Sequence, residues 1–316
     1  MDQPDRQNIV RQLFETTLSP IQLDSYLQRA LDRSYWERLN PDLPIGAGRP
    51  AAELEAAPLN EPQSAAQLET LRLEGYFQTS AVLRPDVVRR MRLAIERLRA
   101  ERWPAVFSYV YDDFWQAVRT PSLTRLVSGF LGEGYKQNSF VWTYYVAPVK
   151  GAQGWEPHSD SSRGESRLTV WVPLTDATLD NGCMYLIPRN QLPDDLRREY
   201  QKLDEGVTRA QLGRLLQSTR ALPSPAGAYL GWNHQMIHWG AISSGQVEPR
   251  ISFAVEFVKS GAELRPDEAP LFDPLTAMPP FLERLRAIGK GLLTYQHNEP
   301  RNKRYAELGR LLTSAV

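Results

Sequence analysis

Residues 228–258 read AYLGWNHQMIHWGAISSGQVEPRISFAVEFV, and the way this stretch folds decides how the rest of the chain is read. Three short runs rich in β-branched and aromatic residues, Ala228 to Trp232, Met236 to Ile242 and Arg250 to Val258, stand between turn formers. Ser243-Ser244-Gly245 is the clearest turn signal. With a turn centred near residue 244, His238 and Arg250 are predicted to be cross-strand neighbours. Arg250 at the start of an apolar strand is a clue in itself, because a guanidinium is costly to bury without an anion. A bound carboxylate would satisfy it, and Ser252, two residues on and on the same face, could donate a second hydrogen bond.

Working upstream, Phe140 to Val146, Leu168 to Leu174 and Cys183 to Pro188 have the same strand-like character. A series of short strands with turn signals between them predicts a β-sandwich or jelly roll. Ahead of the second of these runs stands His158-Ser159-Asp160. On extended backbone, residues i and i+2 project from one face, so His158 and Asp160 can grip a single ion together. With His238 they offer borderline nitrogen and hard oxygen donors at three corners of a metal and leave the others open for oxygen chemistry.

The set His158-x-Asp160, Asn181-Gly182-Cys183, His238-Trp239-Gly240 and Arg250-x-Ser252, running from LRLEGYFQTSAVL at residue 71 to ISFAVEFV at residue 251, resembles the phytanoyl-CoA dioxygenase family of iron(II)- and 2-oxoglutarate-dependent oxygenases. The resemblance implies a double-stranded β-helix, a cupin-like jelly roll, flanked by N- and C-terminal helices. It implies His158, Asp160 and His238 as iron ligands, Arg250 as the anchor for the far carboxylate of 2-oxoglutarate with Ser252 beside it, and Trp171 next to the cosubstrate. Dioxygen would then be consumed in hydroxylating a C–H bond of a small metabolite or natural-product intermediate, with release of succinate and carbon dioxide. The carboxylate of Asp160, where halogenating relatives carry a small residue, favours hydroxylation, although desaturation, epoxidation and ring formation share the same ligands. A jelly roll that binds a metal or a small molecule without redox turnover is the alternative reading, since fold does not fix function.

The remaining candidates have plainer explanations. His234 lies four residues before His238, but its flanks are strand formers, so it reads as a structural histidine supporting the site. His297 lies in the polar QHNEPRNKR segment and reads as surface. The lone cysteine, Cys183, reads as a small buried residue. Trp142, Trp239 and Arg163 are expected to line a substrate pocket. Candidate substrates are a free amino acid, a natural-product scaffold or a carrier-bound acyl group. A lid is expected from Gly151 to Trp155 with Ser161 to Ser166, or from the segment after Lys259.

Thirty-seven basic residues balance 37 acidic ones in 316, which leaves no net field for nucleic acid or an anionic membrane. No run is long and apolar enough to span a bilayer, and MDQPDRQNIV lacks the features of a secretion signal, so a cytoplasmic location is expected. The chain divides into residues 1–69, a helix and extended arm; 70–260, the oxygenase core with a helical insertion near 194–216; and 261–316, a helical extension. Ser19-Pro20-Ile21-Gln22 predicts a helix start. Asn40 to Pro62 reads as an arm. A helix opened by Pro85 should present Val88, Met91, Ile95 and Leu98 on one face, and another is expected over Phe114 to Leu131.

Overall fold

Burial along the central strands is continuous. Every residue from Arg167 to Pro173 is buried, and from Arg250 to Val258 only Glu256 is partly open. Strands covered on both faces lie between two layers. In the computed structural model, which describes residues 17–46, 48–161, 164–192, 208–245, 248–265, 268–276, 278–296 and 299–314, one layer is helical and the other is a second sheet. Arg163, His297 and the first part of the expected 194–216 insertion fall outside the described residues.

The described elements are α1 (Pro20–Leu31), α2 (Arg33–Leu39), α3 (Glu61–Glu74), β1 (Tyr76–Ala81), α4 (Pro85–Ala100), α5 (Asp112–Gln116), α6 (Pro121–Leu131), β2 (Lys136–Val146), β3 (Arg167–Pro173), β4 (Met184–Ile187), α7 (Arg209–Ser218), β5 (Arg220–Leu222), β6 (Ala228–Asn233), β7 (Ile237–Gly240), β8 (Arg250–Val258), α8 (Phe281–Thr294) and α9 (Ala306–Ser314). Two antiparallel sheets form, ordered β1-β6-β3-β8-β2 and β5-β4-β7. The jelly-roll expectation holds, although helix makes up more of the chain than strand. No helix among the described residues is long and apolar enough to cross a membrane.

Strand parity assigns the two faces. Leu168, Val170 and Val172 of β3 and Ile251, Phe253, Val255 and Phe257 of β8 belong to the main core, together with Val88, Met91, Ile95 and Leu98 of α4. The alternate residues, Thr169 and Trp171 on β3 and Arg250, Ala254 and Glu256 on β8, face a cavity against the smaller sheet. Helix α8 packs against β2 and delivers its C-cap residue, Tyr295, to the same cavity.

Local signals explain most element boundaries. Ser19 and Gln22 form the reciprocal cap that starts α1. The same device, Asn60 with Gln63, starts α3 inside what reads as the end of an arm. The helix expected over Phe114 to Leu131 is two helices, because Thr120 turns extended (ψ 158 is typical of such caps elsewhere in the chain, and here it is 151°) to cap α6 and Pro121 takes its first position.

The expected hairpin between β7 and β8 does not form. β7 pairs with β4, placing His238 opposite Leu186, whereas β8 pairs with β2 and β3, placing Arg250 opposite Val146. The chain changes sheets between them. Ser243 bonds to Gly151 and Ala152, and Ser244 donates to the Asp180 carbonyl at 2.7 Å, so this turn is spent on neighbouring loops. A turn signal marks a reversal without fixing which strand the returning chain will meet.

Candidate metal and cosubstrate site

His158 and His238 are joined through their backbones. Each amide donates to the other's carbonyl, at 3.1 and 2.9 Å, so the loop before β3 is pinned to β7 at this point. The imidazoles lie 4.3 Å apart, centroid to centroid. His158 Nδ1 is 2.7 Å from the Glu156 carbonyl and His238 Nδ1 is 3.0 Å from that of Met236. A carbonyl only accepts, so both Nδ1 atoms carry the proton and both Nε2 atoms keep a free lone pair. Both Nε2 atoms are 3.6 Å from the same oxygen, Asp160 Oδ1.

The other Asp160 oxygen is already engaged. Oδ2 accepts from Thr169 Oγ1 at 2.7 Å and from Trp232 Nε1 at 3.0 Å. Thr169 and Trp232 are cross-strand partners on β3 and β6, so one row of the large sheet fixes the carboxylate. Because the Thr169 proton goes to Asp160, the contact of 3.1 Å from Thr169 Oγ1 to His234 Nε2 has His234 as donor. His234 therefore supports Asp160 through Thr169. Burial would raise the Asp160 carboxyl, but the three imidazoles and Thr169 outweigh it and hold it well below the usual carboxylate range. Burial lowers His234 and His238 to about 4, so both are neutral at physiological pH.

This donor set fits iron(II). Donor atoms of His158, Asp160 and His238 lie within 4.8 Å of one another, the one such group among the described residues, and His158 Nε2 is buried with no hydrogen-bond partner. Two imidazole nitrogens and one carboxylate oxygen on one side of an ion are the ligands of non-haem iron oxygenases.

Arg250 reaches the same cavity from β8. Its guanidinium donates to the carbonyl of Gly182 and passes between Gly154 and Gly240, where an added Cβ would meet it at 2.5 and 2.8 Å. Gly182 itself has φ 87°, and a Cβ there would meet the Ala241 carbonyl at 2.2 Å, while Asn181 closes the turn by accepting from Thr178 N at 2.8 Å. Thus the Asn181-Gly182 turn serves the arginine. Arg250 Nε and Ser252 Oγ are buried without partners, which suits a carboxylate ligand. Burial lowers the guanidinium to about 10, so it stays charged.

Other expected residues divide. Trp171 and Trp142 line the cavity, with Trp155 and Trp232. Trp239 does not line it: one residue after His238 on a strand, it faces the opposite side and stacks on Tyr185 at 5.6 Å. After the His158–Asp160 loop, two charged residues lie away from the site: Arg167 pairs with the buried Glu268 at 2.7 Å, and Glu165 is exposed beside Arg189. Cys183 is buried, and burial pushes its thiol up to about 11. Sequence reasoning passed over Thr169, Glu256 and Tyr295. Parity on β3 and β8 could have found the first two, whereas nothing local marks Tyr295.

The family model for Phytanoyl-CoA dioxygenase (PhyH) matches residues 71–247, more than half of the chain, and the matched span contains His158, Asp160 and His238. The chain belongs to the phytanoyl-CoA dioxygenase family. Its cofactors are those of the family, iron(II) and 2-oxoglutarate, and the family acts on small-molecule substrates. Among solved structures, this family member is similar to the non-heme alpha ketoglutarate dependent epimerase SnoN from nogalamycin biosynthesis (20% identity over 70% of this chain and 96% of that one, TM-score 0.53). It is also similar to the carbocyclase SnoK from the same biosynthesis (20% identity, 73% and 98% coverage, TM-score 0.51) and to the non-heme monooxygenase ThoJ (18% identity, 75% and 99% coverage, TM-score 0.52). At these identities the likeness shows the shared fold. The search of curated proteins returned no match.

Proposed function

We propose that His158 Nε2, Asp160 Oδ1 and His238 Nε2 hold iron(II), that Arg250 and Ser252 receive the far carboxylate of 2-oxoglutarate beside Trp171, and that the enzyme hydroxylates a C–H bond of a small metabolite or natural-product intermediate. The observation that carries this reading is the direction of the free lone pairs: two imidazoles locked by backbone carbonyls turn their Nε2 atoms toward one carboxylate oxygen. When bound, iron(II) and 2-oxoglutarate together reduce dioxygen, the cosubstrate leaving as succinate and carbon dioxide and one oxygen atom going to the substrate.

The chain's own residues orient and shield. The carbonyls of Glu156 and Met236 fix the imidazole tautomers, and Thr169 and Trp232 stop Asp160 from rotating. Arg250, itself buried, supplies a fixed positive fork to a carboxylate. Trp155 and Tyr295, 5.0 Å apart, line the cavity side by side, and they come from the two segments expected to form a lid.

Bound iron and succinate release test the assignment. His158→Ala, Asp160→Ala and His238→Ala should each lose iron and turnover while remaining folded. Arg250→Ala should keep iron but raise the 2-oxoglutarate KM by roughly thirtyfold or more, the equivalent of about 2 kcal/mol for a severed charge-assisted pair. Full succinate release by any ligand variant would remove that residue from the set. Because the solved neighbours are named an epimerase, a carbocyclase and a monooxygenase, product mass decides the outcome: a gain of one oxygen supports hydroxylation, and an unchanged mass or a loss of two hydrogens contradicts it.

A further inference from the structure

Six residues along β8 from Arg250, on the same face, Glu256 projects into the cavity from the row that fixes Asp160. It is the cross-strand partner of Thr169, which in turn pairs with Trp232. Its carboxylate has only weak partners: the Tyr295 hydroxyl at 3.4 Å and His234 Nε2 at 4.0 Å, the latter on a histidine kept neutral by burial. Among the described residues no lysine or arginine forms an ion pair with it. Arg265, which lines the same cavity, pairs with Glu268 at 3.4 Å, and Lys290 donates to Ser139 and the Ala269 carbonyl. A largely buried carboxylate in this position has no ion-pair partner, and only the more distant charges of Arg265, which also lines the cavity, and Arg167 oppose its burial.

Around it stand aromatic rings. Tyr295 lies 4.8 Å from Trp142 and 5.0 Å from Trp155, and Trp155 lies 5.2 Å from Tyr144, all centroid to centroid, so the wall facing Glu256 is a continuous aromatic surface. Ring faces attract organic cations, most strongly where water is excluded. The indole N–H groups of Trp142 and Trp155 are buried without acceptors, which suits a ligand that also carries an oxygen acceptor. The cavity is also small. At about 250 Å³ it lies below the common range for organic ligands even before a cosubstrate is placed in it.

We infer that the substrate is a small organic ammonium compound whose charged nitrogen sits between the Glu256 carboxylate and the rings of Trp142, Trp155 and Tyr295. The inference rests on the oxygenase reading, since it takes this cavity to be the substrate's. An ammonium there would give Glu256 an ion-pair partner and favour its ionised form, whereas an acyl or terpenoid chain would leave it as the neutral acid. Because Glu256 stands in the same row as Thr169 and Trp232, which hold Asp160, the oxidised carbon would lie within a few bonds of the nitrogen.

Calorimetry under anaerobic conditions, on protein loaded with iron(II) and 2-oxoglutarate, tests this with two size-matched pairs: tetramethylammonium against tert-butanol, and butylammonium against butanol. At least one ammonium should bind about tenfold or more tightly than its neutral counterpart, and Glu256→Gln, which keeps shape and removes charge, should abolish that preference. Tyr295→Leu, which leaves both sheets untouched, should weaken ammonium binding several-fold and serves if the first variant is unstable. Absence of preference in both pairs, or preference unchanged in Glu256→Gln, overturns the inference. Binding of 2-oxoglutarate in the same samples separates the two ideas: if it fails, the oxygenase reading falls, and if it succeeds without ammonium preference, only the ammonium assignment falls.

Discussion

The carboxyl of Glu256 is pushed up to about 8 from an ordinary 4.5, first by burial and then by the charge of Asp160. The folded protein therefore holds a proton that the unfolded chain releases across that interval, and stability falls as pH rises through it. His234 and His238, lowered from 6.5 to about 4, act in the opposite direction, with stability gained as pH rises from about 4 to 6.5. Above pH 6.5 only the Glu256 effect persists. The melting temperature of the metal-free protein should thus decline between pH 6.5 and 8, and Glu256→Gln should flatten that decline; an equal slope in the variant would show that another group titrates. Arg119 offers a second residue-scale test. It is 8% exposed, burial and the charge of Arg284 disfavour its cation more than Tyr135 and Asp273 favour it, and none of its three guanidinium nitrogens has an acceptor. Arg119→Met should raise the melting temperature by a few degrees, about 1 kcal/mol, because it removes a buried charge without a partner. A fall would show that the guanidinium has an anion after all. At this scale the sequence was legible where spacing along extended backbone brings side chains together, as with His158 and Asp160 in the loop before β3 and Arg250 on β8. Trp239 was misplaced because adjacency in sequence means opposite faces on a strand, and Tyr295 was invisible because its position depends on where α8 docks.

Single elements place the arginine. The guanidinium of Arg250 fits only because Gly154 and Gly240 have no side chain, an added Cβ at Gly154 coming within 2.5 Å of Nη2. Gly154→Ala should displace the fork and raise the 2-oxoglutarate KM by about tenfold while leaving bound iron unchanged, and an unaltered KM would mean that the arginine does not meet the cosubstrate. The β7–β8 relation shows how a correct residue can be reached by an incorrect path. His238 and Arg250 share a cavity, as the turn argument requires, but they do so from different sheets. Periodicity identified both strands, and no local signal says that β4 takes one of them as partner while β2 and β3 take the other. Helix starts were legible where a cap was read, at Ser19. They were missed where equivalent caps were not read, at Asn60 and Thr120.

For the molecule as a whole, the proposed metal site lies where both sheets and the C-terminal helix meet: β7 brings His238, the loop before β3 brings His158 and Asp160, β8 brings Arg250, and α8 brings Tyr295. None of these elements holds the site alone, so cosubstrate and metal should depend on each other. Visible absorption during anaerobic addition of iron(II) and then 2-oxoglutarate tests this most directly, because the charge-transfer band requires the cosubstrate to chelate an iron held by the protein. A weak band is expected in the parent protein, no band in Asp160→Ala or His238→Ala, and a band in Arg250→Ala only at much higher 2-oxoglutarate. A parent protein that binds both ligands without a band, or an Asp160→Ala variant with the band intact, would contradict that dependence.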